Sequence, residues 1–364
     1  NITNEIKEII AECFGSIPNK PIEYYFIGQP IFKEDTLGTI SHFESTNESQ
    51  LISFNWVLPI QYDKLADLEI YLKILLESNA KGSLQQLLIK DGFITSLDMG
   101  SVQSNTFYWF EIDIHLTQKG LNEYKRVIQM FFSYFKFIQL EPIQTYLLEE
   151  ELRIRKNRHF FNSFENQTFE TLTDDTCALH WCPTENINFS ELQFSIDDDE
   201  KIKEFMNQFQ PENSIVALVS NGELPIGKNS EASEDCKVKY WTEKLNLEKI
   251  IDSAILFSFP TENTVIPDNL KERAPFNTLP SLDISPHPMF PSILWISLID
   301  YLYRNSERIS VLFGRDDFFM KSVENYSMIT LLVRFFQRQL GYEFYYYKRS
   351  GFEASINILN TGIS

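Results

Sequence analysis

The stretch that decides the fold runs from Ala80 to Ser101 and reads AKGSLQQLLIKDGFITSLDMGS. Ser83, followed three residues later by Gln86, predicts a capping box at the start of a short helix. Gly92 lies just past the last apolar helical position, where a left-handed residue commonly ends a helix. The stretch therefore predicts a short helix that turns directly into the next element.

That next element is predicted to be a short strand that runs out at Gly100. FITSLD (93–98) alternates in polarity, which predicts Phe93, Thr95 and Leu97 on one face. The residue types of this strand leave open whether it is an ordinary sheet edge or a surface that meets another chain.

Apolar periodicity along the rest of the chain predicts an α+β protein. The predicted helices cover 4–15, 64–78 (apolar side Leu65, Leu68, Leu72, Leu76), a segment from Thr117 that carries Leu121, Tyr124, Ile128, Phe131 and Phe135, and 143–161. The predicted strands cover 51–59, 106–117 (inward face Tyr108, Phe110, Ile112, Ile114, Leu116) and 214–220. Residues 16–37 and 260–292 contain many prolines and no clear period, so they are predicted to be linkers.

An internal repeat relates the two ends of the chain. A shift of 259 positions aligns Ile52 with Val311, Leu72 with Leu331, Lys90 with Arg349 and Gly92 with Gly351. The order strand, helix, helix, glycine, strand is thus predicted to occur twice, as expected for duplicated α+β domains.

Composition limits the partners and the compartment. The chain has 364 residues, 43% of them hydrophobic, and a formal charge of −19, which argues against nucleic acid as a partner. We find no apolar run of membrane-spanning length and no leading signal segment. Four cysteines do not make a disulfide framework, so we expect reduced thiols and a cytoplasmic setting. Because the chain starts at Asn1, we expect it to be a piece of a longer or processed protein.

No complete catalytic or metal site is visible in the sequence. The chain has no His-x-x-Glu-His motif, in either order, and no glycine-rich phosphate loop. CALHWC brings Cys177, His180 and Cys182 close together, but its spacing favours a packed helix end over a zinc site. The charged run at 149–158 favours a helix with i,i+4 ion pairs such as Glu151–Arg155 over a carboxylate site for acid–base catalysis.

Taken together, the motifs resemble the insulysin (insulin-degrading enzyme) branch of the inverted-zincin peptidases. The matching pieces are colinear from about residue 5 to the end: LISFNWVLP, GSLQQLLIKDGFITSL, FEIDIHLTQKGL, FFSYFKFI, LLEEELRIRKNRHFFNSF, ALHWCP, FQPENSIVALVSNGE, KYWTEKL and FPTENTVIPDNL. The resemblance implies α+β domains with a mostly antiparallel sheet packed against helices, used in several copies that enclose a chamber.

The resemblance also implies a domain organisation. Residues 1–21 would be the tail of an upstream catalytic domain with its linker, and 22–260 the non-catalytic second domain. Residues 261–289 would connect it to a partial third domain at 290–364. The zinc and its His-x-x-Glu-His ligands would then lie outside this chain, which itself would hold no cofactor.

For the predicted strand, the resemblance implies an exosite that binds the N-terminal end of a peptide substrate by strand addition. The exosite maps onto five consecutive residues: Leu97, Asp98, Met99, Gly100 and Ser101. Gly100 would let the peptide backbone approach closely. Ala80 and Lys81 depart from the small or proline residues that the family places before Gly-Ser-Leu.

The function implied is the peptide-anchoring, chamber-forming segment of a zinc metalloendopeptidase. Its partners would be a peptide substrate and the remaining domains of the same polypeptide, with neither nucleic acid nor membrane, and a homodimer is allowed. An inactive paralogue that acts as a binding or scaffold subunit is the alternative, and a core subunit of a mitochondrial assembly is a third reading.

Overall fold

The computed structural model describes most of the chain, with gaps. The described residues are 4–18, 36–45, 50–58, 65–103, 107–161, single turns between 173 and 192, 199–221, 231–232, 239–266, 283–286, 294–300, 307–313, 323–343, 345–350, 358–359 and 362–363. Most of the first predicted linker and much of the second lie outside these residues.

The described residues contain the predicted helices and strands, together with strands such as Thr39–Glu44 and Lys239–Lys244 that the sequence did not predict. The helices are α1 (Asn4–Phe14), α2 (Leu65–Leu76), α3 (Leu84–Lys90), α4 (Gln118–Asn122), α5 (Tyr124–Leu140), α6 (Thr145–Phe161), α7 (Asp199–Met206), α8 (Val323–Glu343) and α9 (Tyr345–Arg349). The strands are β1 (Thr39–Glu44), β2 (Leu51–Leu58), β3 (Ile94–Gln103), β4 (Tyr108–Leu116), β5 (Ile215–Ser220), β6 (Glu231–Ala232), β7 (Lys239–Lys244), β8 (Asp283–Pro286), β9 (Leu294–Asp300), β10 (Glu307–Phe313), β11 (Ile358–Leu359) and β12 (Gly362–Ile363).

The strands form two sheets. The first has the order β3-β4-β2-β5-β1-β7-β6, and its neighbours are antiparallel except for the parallel pair β1 and β5. The second has the order β11-β12-β10-β9-β8 and is antiparallel throughout. The predicted α+β class with a mostly antiparallel sheet is confirmed.

The core of the first unit lies between its sheet and the helices α2, α3, α5 and α7. The predicted alternation of β4 is confirmed, since every second residue from Tyr108 to Leu116 is buried. The Phe54 ring of β2 stacks on Phe131 of α5 with 3.7 Å between the ring centroids. Burial of such large aromatic surfaces is the main term that holds helix and sheet together.

Helix α2 is buried on more sides than a single apolar stripe predicts. Leu68, Leu72 and Leu76 are buried as predicted, but Tyr71 and Leu75 are also fully buried. The reason is that α2 contacts β3 on one side and α6 and α7 on others. A helix enclosed in this way is apolar nearly all round.

The predicted helix from Thr117 is interrupted. Thr117 caps α4 by accepting a hydrogen bond from the Gly120 N–H, and Glu123 has non-helical angles (φ −108°, ψ 24°) before α5 begins. A Cβ on Gly120 would lie 1.9 Å from the Phe93 carbonyl oxygen. The first turn therefore packs against the start of β3, and a break lets α5 follow the sheet instead.

The repeat is visible in the element order. The 259-residue offset carries β2 onto β10, α2 onto α8 and α3 onto α9 within a few residues. The predicted featureless connector is wrong at Asp283–Pro286, which forms the edge strand β8 and ends on a proline that an edge position tolerates. The domain boundaries at 21, 260 and 289 stay predictions.

Within the described residues, no helix combines the length and the apolar character needed to cross a bilayer.

Candidate functional site

The candidate site is β3, which forms one edge of the first sheet. The Ser83 side chain accepts a hydrogen bond from the Gln86 N–H and so starts α3, as predicted. Gln86 reaches back to the N–H of Gly82 rather than to that of Ser83, a variant of the predicted capping box. Gly92 ends the turn with φ 74°, which confirms the predicted left-handed position. The turn delivers the chain to the outside of β4.

A β-bulge shifts the predicted alternation of β3. Ile94 pairs with Leu116 and Ser96 with His115, so Thr95 has no partner of its own. Phe93 and Leu97 are buried as predicted, but Thr95 is exposed and its hydroxyl donates to the His115 carbonyl. The prediction for Thr95 is wrong because a bulge adds one residue to the pleat.

The five predicted exosite residues lie in register on β4. Leu97 is buried (2% exposed) opposite Ile114, whereas Asp98, Gly100 and Ser101 are exposed and Met99 is half-buried. The structure brings the five together on one continuous edge. In the described part of the chain, β3 has β4 as its neighbour on one side and no strand on the other.

The direction of the main-chain groups follows from the ladder. The Leu116 N–H donates to Gln50 on the β2 side at 2.8 Å. Main-chain groups alternate in direction along a strand, so the N–H and C=O groups of Asp113 and Glu111 in β4 point toward β3. Asp98 and Gly100 lie opposite those two residues and use their main-chain groups within the sheet.

The outward main-chain groups of β3 therefore belong to the three intervening residues, Leu97, Met99 and Ser101. Gly100 has nothing within 4 Å of where a Cβ would be, so no packing within the described chain demands a glycine. Because Gly100 has no side chain, a second backbone can approach the edge closely at this point.

Acidic groups surround the edge. Asp98 lies directly opposite Asp113 across the ladder, and its carboxylate is 3.6 Å from the His115 ring nitrogen and accepts from Ser96. Burial raises the pKa of Glu77, the residue just after α2, and Asp98 adds to that rise against the opposing effect of Lys73. The local field favours a cationic over an anionic partner.

The two other sequence candidates do not form a site in the described residues. Glu151 and Arg155 form the predicted i,i+4 ion pair at 3.0 Å. Cys177 is exposed and Cys182 buried, whereas His180 lies outside the described residues. Across the described ranges, no three His, Cys, Asp or Glu side chains are grouped so as to hold a metal ion.

Two features were not predicted from the sequence. Glu150 is buried in the first unit and lies 3.6 Å from Arg349 of α9, and burial raises the pKa of its carboxyl. His42 of β1 is fully buried beside Tyr124, and burial together with Lys125 lowers its pKa to about 4. The partners in both clusters are distant in sequence, so no local pattern marks them.

Comparisons with known proteins agree with this fold. The family described as "Peptidase M16 inactive domain" matches residues 1–154. The insulin-degrading enzyme homolog of Dictyostelium discoideum is 28% identical over 75% of this chain and 29% of its own length. A nardilysin-like protein of Arabidopsis thaliana is 25% identical over 73% of this chain and 27% of its own length.

A solved structure supports the same architecture. The crystal structure of pitrilysin matches 100% of this chain and 39% of its own, with a TM-score of 0.70 at 19% identity, which shows the fold alone. The fold is thus that of an α+β domain of the kind found in pitrilysin. The chain matches the inactive domain of the M16 peptidase family over residues 1–154 and is similar to insulin-degrading enzyme and nardilysin, so the predicted resemblance to the insulysin branch is confirmed. It spans less than a third of the length of these relatives.

Proposed function

We propose that this chain is the peptide-anchoring part of an insulysin-like zinc metalloendopeptidase. The observation that carries the proposal is the edge strand β3, whose outer main-chain groups at Leu97, Met99 and Ser101 face no other strand in the described residues. The match to an inactive M16 domain supports a non-catalytic role for the segment.

The chemistry is strand addition. An extended peptide hydrogen-bonds to the outward N–H and C=O groups, so affinity comes from the backbone and depends little on the peptide sequence. Gly100 and the exposed Ser101 keep the edge clear of bulky side chains. Asp98 beside the edge favours peptides that carry positive charge near the bound segment.

Hydrolysis itself belongs to residues outside this chain in the proposal. A zinc ion would polarise the peptide carbonyl and activate water, with a glutamate as general base. The role of β3 is to hold one end of the substrate while another segment reaches that centre. Anchoring of this kind lowers the entropic cost of the reaction.

Ser101→Pro is the most specific test of the edge. Proline at this position removes an outward N–H and leaves the β4 ladder intact, which edge strands tolerate. We expect about tenfold weaker binding of a labelled basic peptide by fluorescence anisotropy. Gly100→Pro is less specific, because it removes a hydrogen bond inside the sheet.

Ser101→Ala is the matched control, since it loses the same hydroxyl but keeps the N–H. We expect it to bind the peptide within about twofold of the original chain. Far-ultraviolet circular dichroism checks that both variants keep the fold. Equal affinity of Ser101→Pro and Ser101→Ala would refute the anchor.

A further inference from the structure

A groove lies away from the β3 edge, between the first turns of α5 and the chain that follows β7. It encloses about 490 Å³, a size typical of small-molecule sites. Its lining comes from β1, α5, the end of β7 and the segment 245–250. In the first sheet, β3 is at one edge, whereas β1 and β7 are near the opposite one.

The floor of the groove is apolar. Ile40, Ile128 and Ile250 line it and are each at most 6% exposed. Leu245 and Tyr124 also line the groove. A ligand with an apolar body would displace water from these side chains, which is favourable.

The walls are fixed by contacts that do not involve a ligand. Arg126 Nη1 lies 2.7 Å from Asp252 Oδ2 and also donates to Gln129. Gln129 Nε2 donates to the Lys249 carbonyl at 2.9 Å, and the Asp252 N–H donates to Ser133. The segment after β7 is therefore held on α5, so the groove is formed in advance of binding.

The charged rim is basic in an acidic protein. Four cations line the groove, namely Lys125, Arg126, Lys244 and Lys249, against the single carboxylate of Glu243, although the whole chain carries a formal charge of −19. Arg126 is paired with Asp252, and Lys244 donates to the Leu37 carbonyl. Among the described residues, Lys125 and Lys249 have no acidic partner within 4.0 Å, and the Lys125 Nζ lies 5.7 Å from the centroid of the Tyr124 ring.

We propose that this groove binds a small organic anion with an apolar body, its carboxylate or phosphate placed between Lys125 and Lys249. The apolar floor selects the body, and the two ammonium groups, which have no acidic partner among the described residues, select the charge. The inference is independent of peptide anchoring, because the groove and β3 share no residue.

The test is isothermal titration calorimetry on the 364-residue chain with octanoate, octyl phosphate and octanol. We expect one anion per chain and at least about tenfold weaker binding of octanol, because octanol lacks the charge that the lysines recognise. The double variant Lys125→Gln/Lys249→Gln should weaken the better anion by about tenfold or more. The relative affinity of the two anions identifies which headgroup the site prefers.

Lys90→Gln/Lys203→Gln is the control, since it removes two exposed positive charges that do not line the groove. It should leave anion affinity within about twofold. Circular dichroism checks the fold of each variant. Absence of binding by both anions, equal binding of octanol, or equal weakening in the two double variants would each overturn the inference.

Discussion

The two copies of the repeated unit share one pattern of apolar residues, but the first copy buries its apolar helix face and the second exposes it. Leu72 of α2 is fully buried, whereas Leu331, its counterpart 259 residues later in α8, is 68% exposed. The exposed apolar residues of α8 form one stripe at helical spacing: Met328, Leu331, Leu332, Phe335 and Phe336. Periodicity therefore predicts the helix in both copies, but packing partners decide what the helix buries.

Those partners explain the difference. In the first unit, α6 and α7 pack on α2, and both follow it in the chain. Among the described residues, no helix occupies the equivalent place on α8. The difference between α2 and α8 shows that an apolar stripe marks a surface on which a neighbour can pack, and that the stripe does not by itself stabilise the fold.

The largest expected effect is a difference between Leu72→Ala and Leu331→Ala. The first removes a fully buried side chain and should lower the free energy of unfolding by about 3 kcal/mol through lost transfer energy and a cavity. The second removes an exposed side chain and should change it by less than about 0.5 kcal/mol. Urea unfolding of both variants measures the difference.

Similar losses of unfolding free energy in the two variants would contradict the difference in burial, because they would mean that α8 is covered in solution. Leu72→Ala with little effect would contradict the packing of α2. Because the two units can unfold separately, the fit should use a local probe in each unit as well as the whole signal.

A smaller effect is expected for Arg349→Ala and Lys90→Ala, which change equivalent positions in the two copies of the repeat. Arg349 lies 3.2 Å from Glu151 and 3.6 Å from buried Glu150, whereas Lys90 is exposed. Loss of Arg349 leaves a buried carboxylate without its cation and should cost about 2 kcal/mol. Lys90→Ala should cost less than about 0.5 kcal/mol.

Thermal unfolding followed by circular dichroism measures both variants. The cost of Arg349→Ala should shrink as the pH falls, since Glu150, whose pKa burial already raises, can then take up a proton. A cost that does not depend on pH would indicate that Arg349 acts by packing alone. Equal costs in the two variants would remove the distinction between the copies.

Local chemistry accounts for what the sequence predicts correctly. Ser83 begins α3 and Gly92 ends the turn after it through hydrogen bonds to near neighbours, so both roles can be predicted from the sequence. The alternation of β4 is equally local. These signals place the edge strand, and with it the five exosite candidates.

Features that depend on distant contacts were missed. The bulge at Thr95 reflects pairing with His115, and the break at Glu123 reflects the contact between Gly120 and Phe93. The groove proposed to bind an anion joins residues from three separate parts of the chain, so no sequence spacing predicts it.

The most direct test of the peptide anchor is residue-resolved amide hydrogen exchange of the 364-residue chain, with and without a saturating basic peptide. If β3 anchors the peptide, exchange at Met99 and Ser101, whose N–H groups face outward, should become slower on peptide binding. Exchange at Asp98 and Gly100, which already bond to β4, should change little. Peptide binding with no slowing of exchange at Met99 and Ser101 would show that β3 is not the peptide anchor.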